Sequence, residues 1–488
     1  MANASLLILE EAAREVRVLP LEKNQYIIGR AGQESVDLIL ALEGASCGRG
    51  TLVCRQGQWF YRNGGDCGAI IDGRRITGGD SPCPLKDGAA LCIGGGGTGS
   101  AGYQGRGALM LFCAGDYSNQ KWMSYPLGLP KDPVTVGRDE ERCQVVIHSV
   151  SVSREHGQFY TEYGALYYKD LKGMGDTIVN GKALRGACRL ADGDVLMIGH
   201  IKMMLVCGVL FYMQSESGGR LSIRGLTRRV SDARHWGRKK TILDDVNLDI
   251  NASELVAVLG ASGSGKTTFI NCVIGCEEAT GGKVILNGVD LYKHKRMLKK
   301  QFGYAPQDDL LRNGLSVVST LKYVARLRLP KDVSKTERMA AIDQVMGMLD
   351  LEAELKYTDV RKISGGQRKR VSIATELISD PPLLFLDEPT AGLDPEMESN
   401  LIHQLHKLAH QENKTIIVVT NTVKNIDLFD KLLFIGPGGR ACYFGSPMGA
   451  LAAFGVTDIT DVYPLVRERT AYYASRYKRS FALEGGVG

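Results

Sequence analysis

The residues with the clearest capacity for chemistry form one loop, Gly260-Ala261-Ser262-Gly263-Ser264-Gly265-Lys266-Thr267. They fit the pattern G-x-x-x-x-G-K-[ST]. Its glycines let successive backbone N–H groups curl around the β- and γ-phosphates of a nucleotide. Lys266 would reach the outer phosphates, and Thr267 would hold Mg²⁺. This chemistry needs a strand before the loop and a helix after it. The apolar run Leu255-Val256-Ala257-Val258-Leu259 precedes the loop and reads as a buried parallel strand. Thr268-Phe269-Ile270-Asn271-Cys272-Val273-Ile274 follows and starts a helix, whose N-terminus adds partial positive charge facing the phosphates.

Downstream, five further motifs appear in a fixed order. Gln307 lies in Tyr304-Ala305-Pro306-Gln307-Asp308, ahead of a helical stretch expected over 320–351. Ser364-Gly365-Gly366-Gln367 opens a helix over 368–378. The strand Leu383-Leu384-Phe385-Leu386 ends in Asp387-Glu388-Pro389, and Ala391-Gly392-Leu393-Asp394 follows. A last buried strand, Ile416-Ile417-Val418-Val419-Thr420, ends at Asn421. From residue 221 strands and helices alternate, as in an α/β domain.

Together these motifs closely resemble the nucleotide-binding domain of ABC transporters. The stretch from Leu428 to Gly439, with Tyr443-Phe444-Gly445, is similar to the G-type subfamily, whose members carry lipids and other amphiphiles. The resemblance implies ATP and Mg²⁺ as cofactors, held by Gly260 to Thr268. Thr267, Gln307 and Asp387 would serve the metal, and Glu388 would be the general base that deprotonates the attacking water. Ser364, Gly365, Gly366 and Gln367 would close over the ATP of a second such domain, so a head-to-tail dimer is implied, with Asp394 linking the two sites. Asn421 stands where the family has His; it can hydrogen-bond but cannot carry a proton. Reduced but real hydrolysis is therefore expected. The aromatic that stacks on adenine in the family falls near Val230, leaving Trp236 as the only ring at hand.

Residues 1–213 read differently. Ile28-Gly29-Arg30 returns as Val136-Gly137-Arg138, and Ile70-Ile71-Asp72-Gly73 returns as Ile178-Val179-Asn180-Gly181. Asp87-Gly88 and Ile93-Gly94 return as Asp192-Gly193 and Ile198-Gly199. This is one domain duplicated, with short strands between Gly, Asn and Asp turns that argue for an all-β sandwich in each copy. In the second copy Gly137-Arg138, Ser153-Arg154-Glu155-His156 and Thr177 to Gly181 resemble a forkhead-associated (FHA) domain. The resemblance implies phosphothreonine binding by Arg138 and Ser153 with Arg154, and an upstream Ser/Thr kinase. Arg suits this by forked, charge-assisted hydrogen bonds. His156 is expected to be structural. Two departures stand out. Gly173-Met174-Gly175-Asp176-Thr177 lacks the family's Asn, and the first copy has Ser46-Cys47-Gly48-Arg49 in place of the second copy's Ser-Arg-Glu-His. The first copy therefore reads mainly as a packing module, and its glycine-rich 94–107 as a hairpin loop.

Composition bounds the rest. At 488 residues the chain holds several domains, and 44% hydrophobic with 23% charged residues is globular usage. A net charge of +6 does not indicate nucleic-acid binding. The twelve Cys include no C-x-x-C pair and read as reduced residues of a cytosolic compartment. The longest apolar run, 203–213, is too short to span a bilayer.

Among positively charged stretches, Arg224 to Lys240 is a solvated edge or a flank near lipid head groups, and Lys293 to Lys300 reads as a solvated helix face. His403, His406 and His410 read as surface helix rather than metal site. The expected architecture is multidomain: an FHA-like sandwich over 1–116, an FHA domain over 117–213, a linker over 214–220, an α/β P-loop ATPase with a helical subdomain over 221–455, and an aromatic and basic tail over 456–488. That tail would lead toward a transmembrane permease part outside this chain. The expected function is the ATP-hydrolysing part of a lipid or amphiphile exporter, at the cytoplasmic face of the plasma membrane, regulated through phosphothreonine. The alternative is a phosphothreonine scaffold whose slow or inactive ATPase is a nucleotide-dependent dimerisation switch.

Overall fold

The computed structural model describes residues 4–10, 15–30, 33, 35–40, 50–55, 58–64, 69–72, 74–77, 80–86, 89–93, 108–113, 121–171, 177–199, 201–213, 218–231, 239–287, 289–421 and 424–483. The chain forms two compact units, Met1–Glu216 and Ser217–Gly488.

In the first unit, Gly50–Arg55 and Gln58–Asn63 pair with Gln25–Arg30 and Cys83–Pro84 in a five-stranded sheet closed by Leu38–Leu40. Val145–Val146, Val134–Gly137, Gly157–Glu162, Ala165–Asp170 and Ala187–Arg189 repeat the same order in the second half. Opposite them runs one sheet of twelve strands. It joins the halves where Trp122 pairs with Val16 and Met123 with Glu15. The first half's strands Ser5–Glu10 and Ala108–Cys113 are buried on both faces, so they read as unbroken apolar runs rather than alternating ones. Leu6, Ile8, Leu91, Met110 and Phe112 face the first half's own core. Leu7, Leu9, Cys92, Leu109 and Leu111 belong to a buried cluster with Phe159, Met204, Val206 and Phe211 of the second half. Each such side chain contributes roughly 1.5–3 kcal/mol when fully buried, so the halves are packed together rather than strung apart.

In the second unit, a six-stranded sheet runs in the order Phe302–Ala305, Leu383–Asp387, Thr415–Val419, Leu255–Leu259, Lys431–Gly436, Arg440–Gly445. The first five strands are parallel and the last is antiparallel. A four-stranded antiparallel sheet, Lys239–Ile250, Leu221–Ser231, Gly281–Leu286 and Val289–Asp290, shares one core with it, Leu226, Val246 and Val284 clustering with Val256, Val258 and Phe385. The helical stretch expected over 320–351 is two helices. Val317–Arg328 stops before Leu329-Pro330, because proline disfavours the helical conformation in the residue before it. Lys335–Met348 restarts behind a Ser334–Glu337 capping box.

Of the aromatic and basic tail, several side chains are spent on packing. Tyr473 is buried against Phe454, and the Tyr477 hydroxyl donates to Asn247 O at 2.6 Å. Lys478 pairs with Asp245, and the Arg224 guanidinium lies over the Phe481 ring. Among the described residues no helix is long and apolar enough to cross a membrane.

Candidate functional site

The parallel strands all end on one side, and the loops leaving their carboxyl ends carry the motif residues. In open α/β sheets that crevice is where ligands bind. Leu255–Leu259 is fully buried and delivers the chain into the glycine loop. Gly265 has a left-handed φ of 103°, and a Cβ there would sit 2.8 Å from Ile242 O. Only glycine meets both conditions without strain. Helix Lys266–Val273 begins at once, with no side-chain cap on its first N–H groups. Those uncapped donors suit an anion.

Lys266 is buried, and its Nζ donates to Gly260 O at 2.7 Å and Ala261 O at 3.2 Å. Burial lowers its pKa, against the opposing pull of Glu388 and Asp387. Asp387 ends its strand almost fully buried. Desolvation pushes its carboxyl up, while a hydrogen bond from the Thr267 side chain pulls it down. Thr267 and Asp387 thus place two oxygen donors together, the donor chemistry a Mg²⁺ ion takes. The uncapped amides, Lys266 and this oxygen pair fit a nucleotide triphosphate with its metal.

Glu388 follows Asp387 in a left-handed conformation, φ 45°, unusual for a residue with a side chain. Its amide is tied to Val419 O at 2.9 Å. Two side-chain amides reach its carboxylate: Gln307 Nε2 donates to Oε2 at 3.0 Å, and Asn421 Nδ2 donates to Oε1 at 2.5 Å. Gln307, Glu388 and Asn421 come from three different strand ends and meet at one carboxylate. Strain at such a residue persists only where surrounding contacts over-determine it.

Ser364 to Gln367 stand elsewhere. Ser364 caps helix Gly365–Leu377: its Oγ accepts from Gln367 N, while Gln367 Oε1 accepts from Ser364 N. Ser364, Gly366 and Gln367 border a cavity of about 410 Å³ with Asp350, Arg370, Leu393 and His403, and no residue of the loop 260–267 lines it. Asp394 accepts from the Glu396 and Met397 amides and caps the next helix. Val230 is half-buried near the end of its strand, and Trp236 lies outside the described residues.

One connection was absent from the sequence reading. Arg368, directly after Gln367, forks onto Asp309 at 2.6 and 2.8 Å and also reaches Val360 O. Lys369 donates to Gln307 O. Burial pushes the Asp309 carboxyl up, but hydrogen bonds from Arg368 and the Leu311 amide outweigh it and hold it below its ordinary value. The segment holding Gln307 is therefore tied to the helix that Ser364 opens. The available signal was adjacency: each partner lies within two residues of a motif residue. Arg368→Ala is expected to cost about 1–3 kcal/mol of stability, the worth of charge-assisted hydrogen bonds, and to slow ATP turnover by loosening Gln307. Thermal melting and turnover of Arg368→Ala, Asp309→Asn and the double variant test it. Additive losses would show that the pair does not act as a unit.

In the first unit, Arg138 N donates to Ser153 O at 3.1 Å and Asp139 N to Arg154 O at 3.2 Å. These bonds set Arg138 beside Ser153 and Arg154. The approach is so close that a Cβ on Gly137 would lie 2.0 Å from Arg154 O. His156 is buried, with Nε2 3.2 Å from Thr177 Oγ1. The segments Ser46 to Arg49, 94–107, Gly173 to Asp176 and 214–217 lie outside the described residues, as do Arg234 and Arg238.

The two side readings also meet the structure. Nδ1 of His403 donates to Ser399 O and Nδ1 of His410 to His406 O, spending one nitrogen of each imidazole on the helix. Among the described residues no group of three or more His, Cys, Asp or Glu is placed to hold a metal. Of the basic flank, Arg224 is forked to Asp249 and Arg228 reaches Glu278 O.

Comparison with known proteins agrees with this geometry. The ABC transporter family model matches residues 243–391, and the FHA domain model matches residues 134–199. The ABC transporter ATP-binding/permease protein Rv1747 of Mycobacterium tuberculosis is 34% identical over 354 residues, covering 72% of this chain and 40% of that protein. ABC transporter G family member 25 of Arabidopsis thaliana is 35% identical over 261 residues (52% and 39%), and member 22 is 39% identical over 224 (44% and 29%). The chain thus spans 40% or less of the length of these relatives. Among solved structures, a dimeric post-hydrolysis state of the ATP-binding cassette MJ0796 bound to ADP and Pi matches 46% of this chain and 98% of that chain, at 23% identity and a TM-score of 0.42. With the glycine loop, the strand-end carboxylates and the two family matches in hand, the chain carries an ATP-binding domain of the ABC transporter family, similar to those of G-family members, with an FHA domain ahead of it.

Proposed function

We propose that this chain is the ATP-hydrolysing part of an exporter of lipids or other amphiphiles, working at the cytoplasmic face of the plasma membrane beneath a transmembrane permease part. Two FHA-type sandwiches, over 1–116 and 117–213, precede the ATPase with its helical subdomain over 221–455, and the second sandwich answers to a phosphothreonine protein made by a Ser/Thr kinase. The observation that carries the reading is the Glu388 carboxylate held by Gln307 and Asn421 at the strand ends beside the glycine loop.

In this reading Gly260, Ala261, Ser262, Gly263, Ser264, Gly265 and Thr268 surround the phosphates with backbone donors. Lys266 turns from its two loop carbonyls to the outer phosphates. Thr267, Asp387 and Gln307 hold Mg²⁺, which when bound neutralises charge on the phosphate oxygens. Glu388 orients water and takes its proton, and Asn421 keeps the carboxylate aimed without taking a proton itself. Ser364, Gly365, Gly366 and Gln367 present a helix N-terminus to the ATP of a second copy. In the first unit, Arg138, Ser153 and Arg154 take the phosphate of phosphothreonine.

Asn421 favours one second reading, the phosphothreonine scaffold with a slow or inactive ATPase. Steady-state ATP turnover separates the two. Asn421→His is expected to raise the turnover number roughly tenfold or more, since an imidazole can relay a proton and general acid–base help is worth about 10²–10⁴-fold in full. A wild-type rate equal to that of Glu388→Gln would give the case to the scaffold.

A further inference from the structure

Two cysteines from opposite halves of the first unit meet in the packing between them. Cys92 lies on strand Ala90–Ile93, opposite Leu109 on one side and Ile70 on the other. Cys207 lies in the tight turn that joins Ile201–Val206 to Val209–Met213, with φ 51° followed by φ 74° at Gly208. Their Sγ atoms are 3.9 Å apart, and the residues are 115 positions apart in the chain. Both are free thiols in this structure.

Each thiol sits on a fixed support. The Cys207 turn is pinned because Gly208 O accepts from the Leu127 and Gly128 amides at 3.0 and 2.7 Å, and Gly208 N donates to Asp192 Oδ1 at 3.1 Å. Cys92 is held on an interior strand of its sheet, between two hydrogen-bonded neighbours. The two differ in access: Cys92 is buried and Cys207 is only partly buried. A bond between them would bring the sulfurs from 3.9 Å to the disulfide distance of about 2.05 Å.

We propose that Cys92 and Cys207 form an oxidative modification site, in which a small hydroperoxide converts the pair to a disulfide that locks the two halves of the first unit together. The partly buried Cys207, as its thiolate, attacks one peroxide oxygen; the O–O bond breaks, the sulfur becomes a sulfenic acid and hydroxide or alkoxide leaves. Cys92 sulfur then attacks the Cys207 sulfur, the S–OH bond breaks, and the departing hydroxide takes the Cys92 proton as water. In sum two thiols and one hydrogen peroxide give one disulfide and two waters. The order of roles also fits the electrostatics. The hydrogen bond with Cys92 lowers the Cys207 pKa, while that same bond and then burial push the Cys92 thiol up. The less buried partner is thus the one whose ionisation is favoured, and the thiolate is the nucleophile. The link would close a long loop across the shared core, the case in which a crosslink most restricts the unfolded chain.

The test uses the full chain, treated with excess hydrogen peroxide, blocked with an alkylating agent, and digested without reductant. The expected product is one crosslinked peptide pair containing Cys92 and Cys207, split by dithiothreitol, with the first unit melting several degrees higher when oxidised. In Cys92→Ser, Cys207 should instead accumulate as a sulfenic acid that a dimedone probe captures. In Cys207→Ser, Cys92 should stay an alkylatable thiol. If either Ser variant fails to fold, Ala at the same position replaces it, and the wild-type crosslink map stands by itself. Oxidation of the wild type to separate sulfinic acids, a crosslink to other cysteines, or two unmodified thiols would overturn the proposal.

Discussion

Glu388→Gln is expected to lower the ATP turnover number by about 10²–10⁴-fold while leaving ATP affinity within a few-fold of wild type, because the change removes a general base and little else. The geometry is the reason for so clean a separation. Gln307 and Asn421 each donate to one carboxylate oxygen, and Gln is isosteric with Glu. A glutamine keeps one acceptor for one of these donors, and the other neighbour's side-chain amide flips to offer its oxygen to the glutamine amino group, so position survives while basicity is lost. The backbone tie from Glu388 N to Val419 O is untouched. Turnover by a coupled assay and ATP affinity by titration check both halves of the expectation. A variant that turns over at the wild-type rate would remove Glu388 from the chemistry.

Lys266→Ala should abolish ATP binding at micromolar nucleotide. Charge-assisted hydrogen bonds are worth about 1.5–3 kcal/mol each, and losing two weakens Kd by roughly 10²–10⁴-fold. Unfolding is not the expected cause. Lys266 sits desolvated, with burial lowering its pKa against the weaker pull of Glu388 and Asp387, and its hydrogen bonds in the structure go to two loop carbonyls. Removing such a cation relieves a desolvation cost, so the melting temperature should hold or rise slightly. Isothermal titration with ATP, beside a melting curve, separates lost binding from lost structure.

Much of the ATP site could be read from the chain because each part is local. Leu255 to Leu259 is a run of buried residues leading straight into three glycines and a lysine, so strand, loop and helix start follow from short-range pattern. Asp387 and Glu388 were found in the same way, at the end of an apolar run. What local pattern could not supply was the company these residues keep. That Gln307 and Asn421 would converge on Glu388 depends on three parallel strands ending in register. The fork from Arg368 to Asp309 spans 59 residues, and adjacency to a motif marks each residue without saying that the two would pair. The first unit repeats the lesson. The doubled motifs announced two β-rich copies, yet Leu6-Leu7-Ile8-Leu9 reports only that a strand is covered on both faces. What covers the second face, the other half of the same unit, is a tertiary choice. The single proline at 330, by contrast, was a local signal for the break that splits the expected long helix in two.

The tail follows the same rule. Its Tyr and Arg residues have the composition of a membrane interface, but composition does not fix direction. Tyr473 and Tyr477 turn inward onto the ATPase unit, whereas Tyr472 stays exposed and Lys478, also exposed, pairs with Asp245.

The most direct test of the central idea, that ATP is held between two copies with Ser364 to Gln367 of one facing the glycine loop of the other, is the solution mass of Glu388→Gln measured by light scattering with and without Mg²⁺-ATP. The account predicts a doubling of mass on adding ATP, reversed by Lys266→Ala in the same background. A monomeric mass at saturating ATP, with the nucleotide demonstrably bound, would contradict it.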